Sequence, residues 1–272
     1  MYGAIFFILI FVTNAISSGP KKEMLDSKTI GHYQVSVERN KSEMVQRFII
    51  KKDKKVIYEE GEIGSYYWIG NHFDELSKKN NLYNVRDLTG NGTPDLVMTS
   101  WNGGAHCCNT LTIFEMKEKE IKKIVSIDGG SYGFTIEDID NDGLVEIEFS
   151  DWPIDYLFNS FAHSAQGRVV LKVVDGQYRV AKELMYKNKP DGKNLLKLKK
   201  EIQKDFFNNH SELLPYSFLK LMMDLSYSGH KEFALEIADD IWPRNKVGLK
   251  KFKTEFSKAL GESIYWSAFY KQ

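Results

Sequence analysis

The chain has 272 residues, of which 42% are apolar and 13% aromatic, enough for one large or two small cored domains. Its 37 basic and 37 acidic side chains cancel. That balance excludes a global field steering it to nucleic acid or to an anionic membrane surface.

Residues 1–18, MYGAIFFILIFVTNAISS, hold an unbroken apolar run from Ala4 to Val12. It is shorter than the ~20 residues that a membrane-spanning helix needs. Ala15 and Ser17 are small residues placed for cleavage between Ser17 and Ser18, so the segment reads as a secretory signal peptide. No Lys or Arg precedes the run, and the competing reading is a buried strand or an uncleaved anchor. No Cys follows it, which excludes a bacterial lipid anchor at that point. Residues 19–30 then form a polar leader. The expected location is secreted or periplasmic, with no membrane span after cleavage.

From Gly31 the pattern has period two. Tyr33, Val35 and Val37 alternate with polar residues, as do Phe48 and Ile50. Residues 51–55 make a basic turn, 56–58 the next strand, and 65–69 a buried aromatic one. Residues 71–81 are a polar connection. Residues 110–116 and 121–127 form a hairpin around 117–120. Residues 152–166 are a long aromatic insertion, expected to pack over a sheet edge. Residues 169–174 and 178–184 flank Asp175-Gly176, a dipeptide that favours a tight primed turn.

After residue 188 the apolar period becomes helical. Leu195, Leu198, Ile202 and Phe206 form one stripe. Pro215 opens a second helix with Phe218, Leu219, Met222 and Leu225 on one face, and Gly229 ends it. Phe233, Ile237 and Ile241 stripe a third, which Pro243 closes. Leu249, Phe252, Phe256 and Leu260 stripe a fourth, with Gly261 behind it. The middle two read as an αα-hairpin joined at Ser228-Gly229. Residues 193–272 carry 14 basic and 10 acidic side chains, an excess that a solvated face explains better than a nucleic-acid site. The expected class is α+β: an all-β domain over 31–188, then a small α-helical domain over 193–272.

The most specific stretch is Asp138-Ile-Asp140-Asn-Asp142-Gly143-Leu144-Val-Glu146. Carboxylates occupy positions 1, 3, 5 and 9, and Gly occupies position 6. Alternate side chains of a tight loop converge on one point, and Gly permits the bend between them. Four carboxylates so close repel one another unless a counter-ion joins them. A hard divalent ion such as Ca²⁺ takes about six to eight oxygens, which these carboxylates, the Leu144 carbonyl and a water supply. The competing reading is a polar turn, since Asp, Asn and Gly favour turns for their own reasons.

A weaker copy lies 51 residues upstream: Asp87-Leu-Thr89-Gly-Asn91-Gly92-Thr93-Pro-Asp95. Asp again fills positions 1 and 9, and Gly position 6. Its ligand set would be Asp87, Thr89, Asn91, the Thr93 carbonyl and Asp95. A turn held by Thr89 and Asn91 hydrogen bonds is the alternative. Both loops stand between strand-like runs, the pattern of an internal repeat of about one four-stranded sheet.

Read as D-x-[DT]-x-[DN]-G-x-x-[DE], the two segments resemble the FG-GAP and VCBS-type repeats of β-propeller proteins. Trp101-Asn-Gly-Gly-Ala-His-Cys-Cys108 and Tyr265-Trp266 resemble a group of secreted bacterial proteins built on that repeat. The resemblance implies blade-like sheets with structural calcium in the loops, and no particular activity. About eleven or twelve strands make roughly three such units, the first without a metal loop, packed as a partial propeller or a sandwich.

Cys107 and Cys108 are the chain's cysteines and are adjacent, so an intrachain disulfide would be vicinal. Free thiols or an intermolecular bond are the alternatives. With His106 they are the candidate centre of a thiol-dependent enzyme or hydrolase. Adjacent cysteines close a tetrahedral zinc shell poorly, and a structural turn at Gly103-Gly104 is the plainer expectation. The expected function is a non-catalytic, adhesion-like module binding a protein or cell-surface ligand through its loop face or helical hairpin. A purely structural envelope protein is the third reading.

Overall fold

Three antiparallel sheets follow one another along the chain, and helices close its C-terminal part. The computed structural model describes residues 22–73, 85–105, 108–208 and 213–270. The signal segment, His106, Cys107 and His210 lie outside these.

The first sheet is a four-strand meander of β1 (Lys22–Ile30), β2 (Tyr33–Asn40), β3 (Val45–Lys52) and β4 (Lys55–Glu60). The second pairs β5 (Tyr66–Ile69) and β6 (Val85–Arg86) along one side of β7 (Asp95–Trp101). It continues through β8 (Asn109–Met116) and β9 (Ile121–Asp128). The third is a meander of β10 (Phe134–Glu137), β11 (Glu146–Asp151), β12 (Gly167–Val174) and β13 (Gln177–Val180). The helices are α1 (Lys182–Met185), α2 (Gly192–Asn208), α3 (Tyr216–Tyr227), α4 (Lys231–Ile241), α5 (Leu249–Glu262) and α6 (Ile264–Tyr270).

Residues 19–21 lie outside the described residues; over 22–30, strand β1 corrects the expectation of a polar leader. Its outward side chains are mostly polar and exposed, so no apolar alternation marks it. Backbone pairing to β2 from Lys22↔Asn40 to Ile30↔Tyr33 holds it at a sheet edge. The strand expected to run to residue 184 stops at Val180 and turns into α1. Helix α5 continues through Gly261 to Glu262, and α6 follows it. The expected hairpin turns are present: Asp53 and Lys54, and Asp175 and Gly176, all take positive φ.

Period-two alternation gives the middle sheet two apolar faces. Tyr67, Ile69, Leu96, Met98, Phe114 and Met116 meet Tyr33, Val35, Val37, Phe48 and Ile50 of the first sheet. Phe48 and Phe114 stack there with centroids 6.3 Å apart. The opposite face, with Val97, Leu111, Ile113 and Ile127, joins a larger core containing Ile136, Ile147, Val169 and Leu171 of the third sheet. That core runs without a break into Phe218, Met222, Ile237, Phe252 and Phe256 of the helices. The joint is close at Gly167, where a Cβ would stand 2.4 Å from the Tyr227 ring. The Tyr227 hydroxyl and Ser263 Oγ both donate to the buried Asp151 carboxylate, tying β11 to the helical layer.

The aromatic insertion over 152–166, expected over a sheet edge, packs against the helical part of the chain. Phe158 meets Phe252 at 5.0 Å, and Asn159 Nδ2 donates to the Leu214 carbonyl at 2.6 Å.

Candidate metal centre

Both acidic loops are hairpin connections, one between β6 and β7, the other between β10 and β11. Their registers match: Arg86 pairs with Asp95, and Glu137 with Glu146. The residue before position 1 therefore lies opposite position 9 in each. Positions 4 and 6 take positive φ in both, at Gly90 and Gly92 and at Asn141 and Gly143. Asn tolerates the left-handed region better than most residues, and Gly freely.

The internal hydrogen bonds repeat as well. Asp138 accepts from the backbone N–H of Asp142 and Gly143, both at 3.1 Å. Asp87 accepts from Asn91 at 3.1 Å and Gly92 at 2.7 Å. The position-5 side chain accepts from the position-7 N–H, at 2.8 Å in Asp142–Leu144 and in Asn91–Thr93. One oxygen of the position-9 carboxylate accepts from the position-2 N–H: Glu146 Oε2 from Ile139 at 2.7 Å, and Asp95 Oδ2 from Leu88 at 2.8 Å.

The other oxygen of each position-9 carboxylate is unusual. Glu146 Oε1 and Asp95 Oδ1 are buried without a hydrogen-bond partner, and both residues are fully inaccessible to solvent. An unpaired buried carboxylate oxygen carries a desolvation cost that a cation removes. Burial raises the Glu146 pKa above the ordinary range against the Ile139 bond, and the fields of Asp140, Asp142 and Asp138 add to the rise. Burial likewise pushes Asp95 up to about 6, although the Leu88 and Thr89 bonds hold it down in part.

In the downstream loop, ligand atoms of Asp138, Asp140 and Glu146 all lie within 4.8 Å of one another. Asp142 stands outside this trio, with one oxygen on the Leu144 N–H. Three carboxylates converging on one point, one with a buried oxygen unsatisfied, fit a hard divalent cation. In the upstream loop Thr89 Oγ1 donates to Asp95 Oδ2 at 3.3 Å, and Asn91 Nδ2 donates to Glu115. These bonds realise the hydrogen-bonded turn; both Asp87 oxygens accept backbone N–H groups, and Asp95 Oδ1 is left without a partner.

The segment after Trp101 is a hydrogen-bonded turn built on Asn102, whose Oδ1 accepts from Gly104 at 2.9 Å and Cys108 at 3.0 Å. Gly103 has φ +80°, and a Cβ there would stand 2.7 Å from the Gly64 carbonyl oxygen. The proposed thiol centre at His106 and Cys107 lies outside the described residues. Among the other histidines, His72 stacks on Trp68 at 4.0 Å and His230 Nε2 contacts the Lys187 carbonyl at 2.8 Å.

No protein-family model and no solved structure matches the chain. A probable thylakoid lumen protein of Synechocystis sp. is 31% identical over 91 residues. The match covers 32% of this chain and 26% of that protein. Among the described residues no helix is long and apolar enough to cross a membrane.

Sequence reasoning missed how the two loops meet. A Cβ on Gly90 would stand 2.5 Å from Leu144 Cδ2, so the Leu144 side chain fills the notch that glycine leaves. Tyr178 on β13 was also missed. Its hydroxyl is buried without a partner, and burial, then the fields of Asp95 and Glu146, raise its pKa. The shared spacing of the two loops between strand-like runs was the signal that they occupy equivalent places in neighbouring sheets. Nothing in the sequence marks Tyr178.

Proposed function

We propose that the chain is an exported, calcium-stabilised, non-catalytic binding module of the FG-GAP/VCBS type, its three sheets serving as blade-like units. The buried Glu146 carboxylate, grouped with Asp138 and Asp140 and with its Oε1 unsatisfied, carries the metal reading. Glu146, Asp138, Asp140 and Asp142 hold the ion in the downstream loop, with the Leu144 carbonyl. Asp87, the Thr93 carbonyl and Asp95 hold a second, with Thr89 and Asn91 shaping the turn. The ion supplies positive charge that draws the strand ends together, and it adds stability by binding only the folded chain.

Export rests on the apolar segment before Ser18 and on the partial match to a thylakoid lumen protein. The partner is a protein or cell-surface ligand meeting the loop face or the α3–α4 hairpin. The turn around Asn102 supports a structural role for the Gly103-Gly104 segment.

Thermal unfolding with calcium and with chelator tests the metal reading. Calcium is expected to raise the melting temperature of the wild type, and to raise that of an Asp138→Asn, Asp140→Asn variant by clearly less, because only the Asp87 loop still binds. An equal melting temperature for the wild type in both conditions would refute it. Intact mass from the native host tests export, with a mature N-terminus at Ser18 expected.

A further inference from the structure

We propose that the two loops form one coupled pair of cation sites, in which an ion held by the Asp138 loop strengthens binding in the Asp87 loop through Leu144 and Gly90. This rests on the calcium reading above and adds a thermodynamic link between the loops.

The first observation is the contact itself. Leu144 stands at position 7, whose backbone carbonyl faces the ion in loops of this spacing. Its side chain occupies the notch over Gly90, at position 4 of the other loop. Gly90 holds φ +70°. An ion that fixes the Leu144 carbonyl therefore also fixes the wall against which the Gly90 turn is built. That turn sets the Asn91 and Gly92 N–H groups, which orient the Asp87 carboxylate.

The second observation is that the position-9 carboxylate of each loop keeps one buried oxygen unsatisfied. Asp95 Oδ1 and Glu146 Oε1 are both buried without partners, so each loop carries an uncompensated charge that an ion would satisfy. An ion at Glu146 relieves the repulsion among the downstream acids. The upstream acids Asp87 and Asp95, with Glu115 against Asn91, remain to attract a second ion. The two cations repel each other, but ordering of the Gly90 turn through Leu144 outweighs that repulsion, so the coupling is favourable. Coupling between sites is reciprocal: each ion strengthens the other by the same factor.

Calorimetric calcium titration of the full chain tests this. The wild type is expected to take two ions. In an Asp140→Asn, Asp142→Asn variant the Asp87 loop should bind roughly tenfold more weakly than in the wild type. Asp87→Asn should weaken the Asp138 loop by the same factor. Leu144→Ala keeps the backbone carbonyl, so it should retain two ions and show the same weakening at the Asp87 loop. Two ions in the wild type with unchanged affinity at each loop when the other is disabled would overturn the coupling and leave the calcium reading standing. So would a single ion per chain. Loss of coupling in the Asp variants but not in Leu144→Ala would overturn the Leu144–Gly90 route. No calcium uptake by the wild type would instead remove the reading on which the proposal rests.

Discussion

At the scale of single residues, Glu146 carries opposite consequences with and without metal. Its Oε2 is bonded to the Ile139 N–H, while its Oε1 is buried and unpaired. Glu146→Gln keeps an acceptor for Ile139 and removes the buried charge. Melting in chelator is therefore expected to be unchanged or raised, by the equivalent of about 1 kcal/mol. Melting in calcium is expected to fall, because a ligand is lost. A fall in both conditions would show that the carboxylate is satisfied without an ion.

Asp155 gives a pH signature away from the loops. Burial pushes its carboxyl up to about 6 from the ordinary 3.8, and the charge of Asp151 adds a smaller rise. The Gln166 amide is committed to the Tyr132 hydroxyl and the Ser164 carbonyl, and among the described residues no hydrogen bond reaches either Asp155 oxygen. Because the folded pKa is the higher one, the folded chain binds the proton more tightly. The associated stability is present below the unfolded pKa and is lost as pH rises through about 6. Because Asp155 is only half-buried, solvent screening cuts the full conversion of that shift, about 3 kcal/mol, to a loss on the order of 2 kcal/mol or less. Urea midpoints measured from pH 4 to 7 should fall less for Asp155→Asn than for the wild type.

Among the elements, the joint between β12 and α3 has the least room. Gly167→Ala would drive a methyl group into the Tyr227 ring, 2.4 Å away. Overpacking of this kind costs about 1–3 kcal/mol, readable as a lower urea midpoint with an unchanged slope. Tyr227→Phe should cost about 1 kcal/mol, since Asp151 keeps the Ser263 hydroxyl and the Trp152 N–H at 2.9 Å.

Most elements were legible because burial on one face leaves a period. The alternation at Tyr33, Val35 and Val37 marks β2, and the stripe through Phe252, Phe256 and Leu260 marks α5. β1 was not legible because an exposed edge strand is held by backbone bonds, which leave no trace in side-chain pattern. The short α6 carries Trp266 and Phe269 into the core, too few positions to define a period.

For the whole molecule, the sequence placed strands before helices and marked both loops. It did not reveal that one core joins the third sheet to the helices, since periodicity identifies a buried face but not what covers it. The candidate site was legible by the same measure. Loop spacing named Asp138, Asp140 and Glu146, whereas the Leu144–Gly90 contact and Tyr178 arise from the packing of neighbouring sheets.

A crystal of the purified chain grown in calcium, with anomalous scattering recorded, measures the central claim directly. The account predicts a peak about 2.3–2.6 Å from Glu146 Oε1, shared with oxygens of Asp138 and Asp140. Water alone among those three side chains at saturating calcium would contradict it.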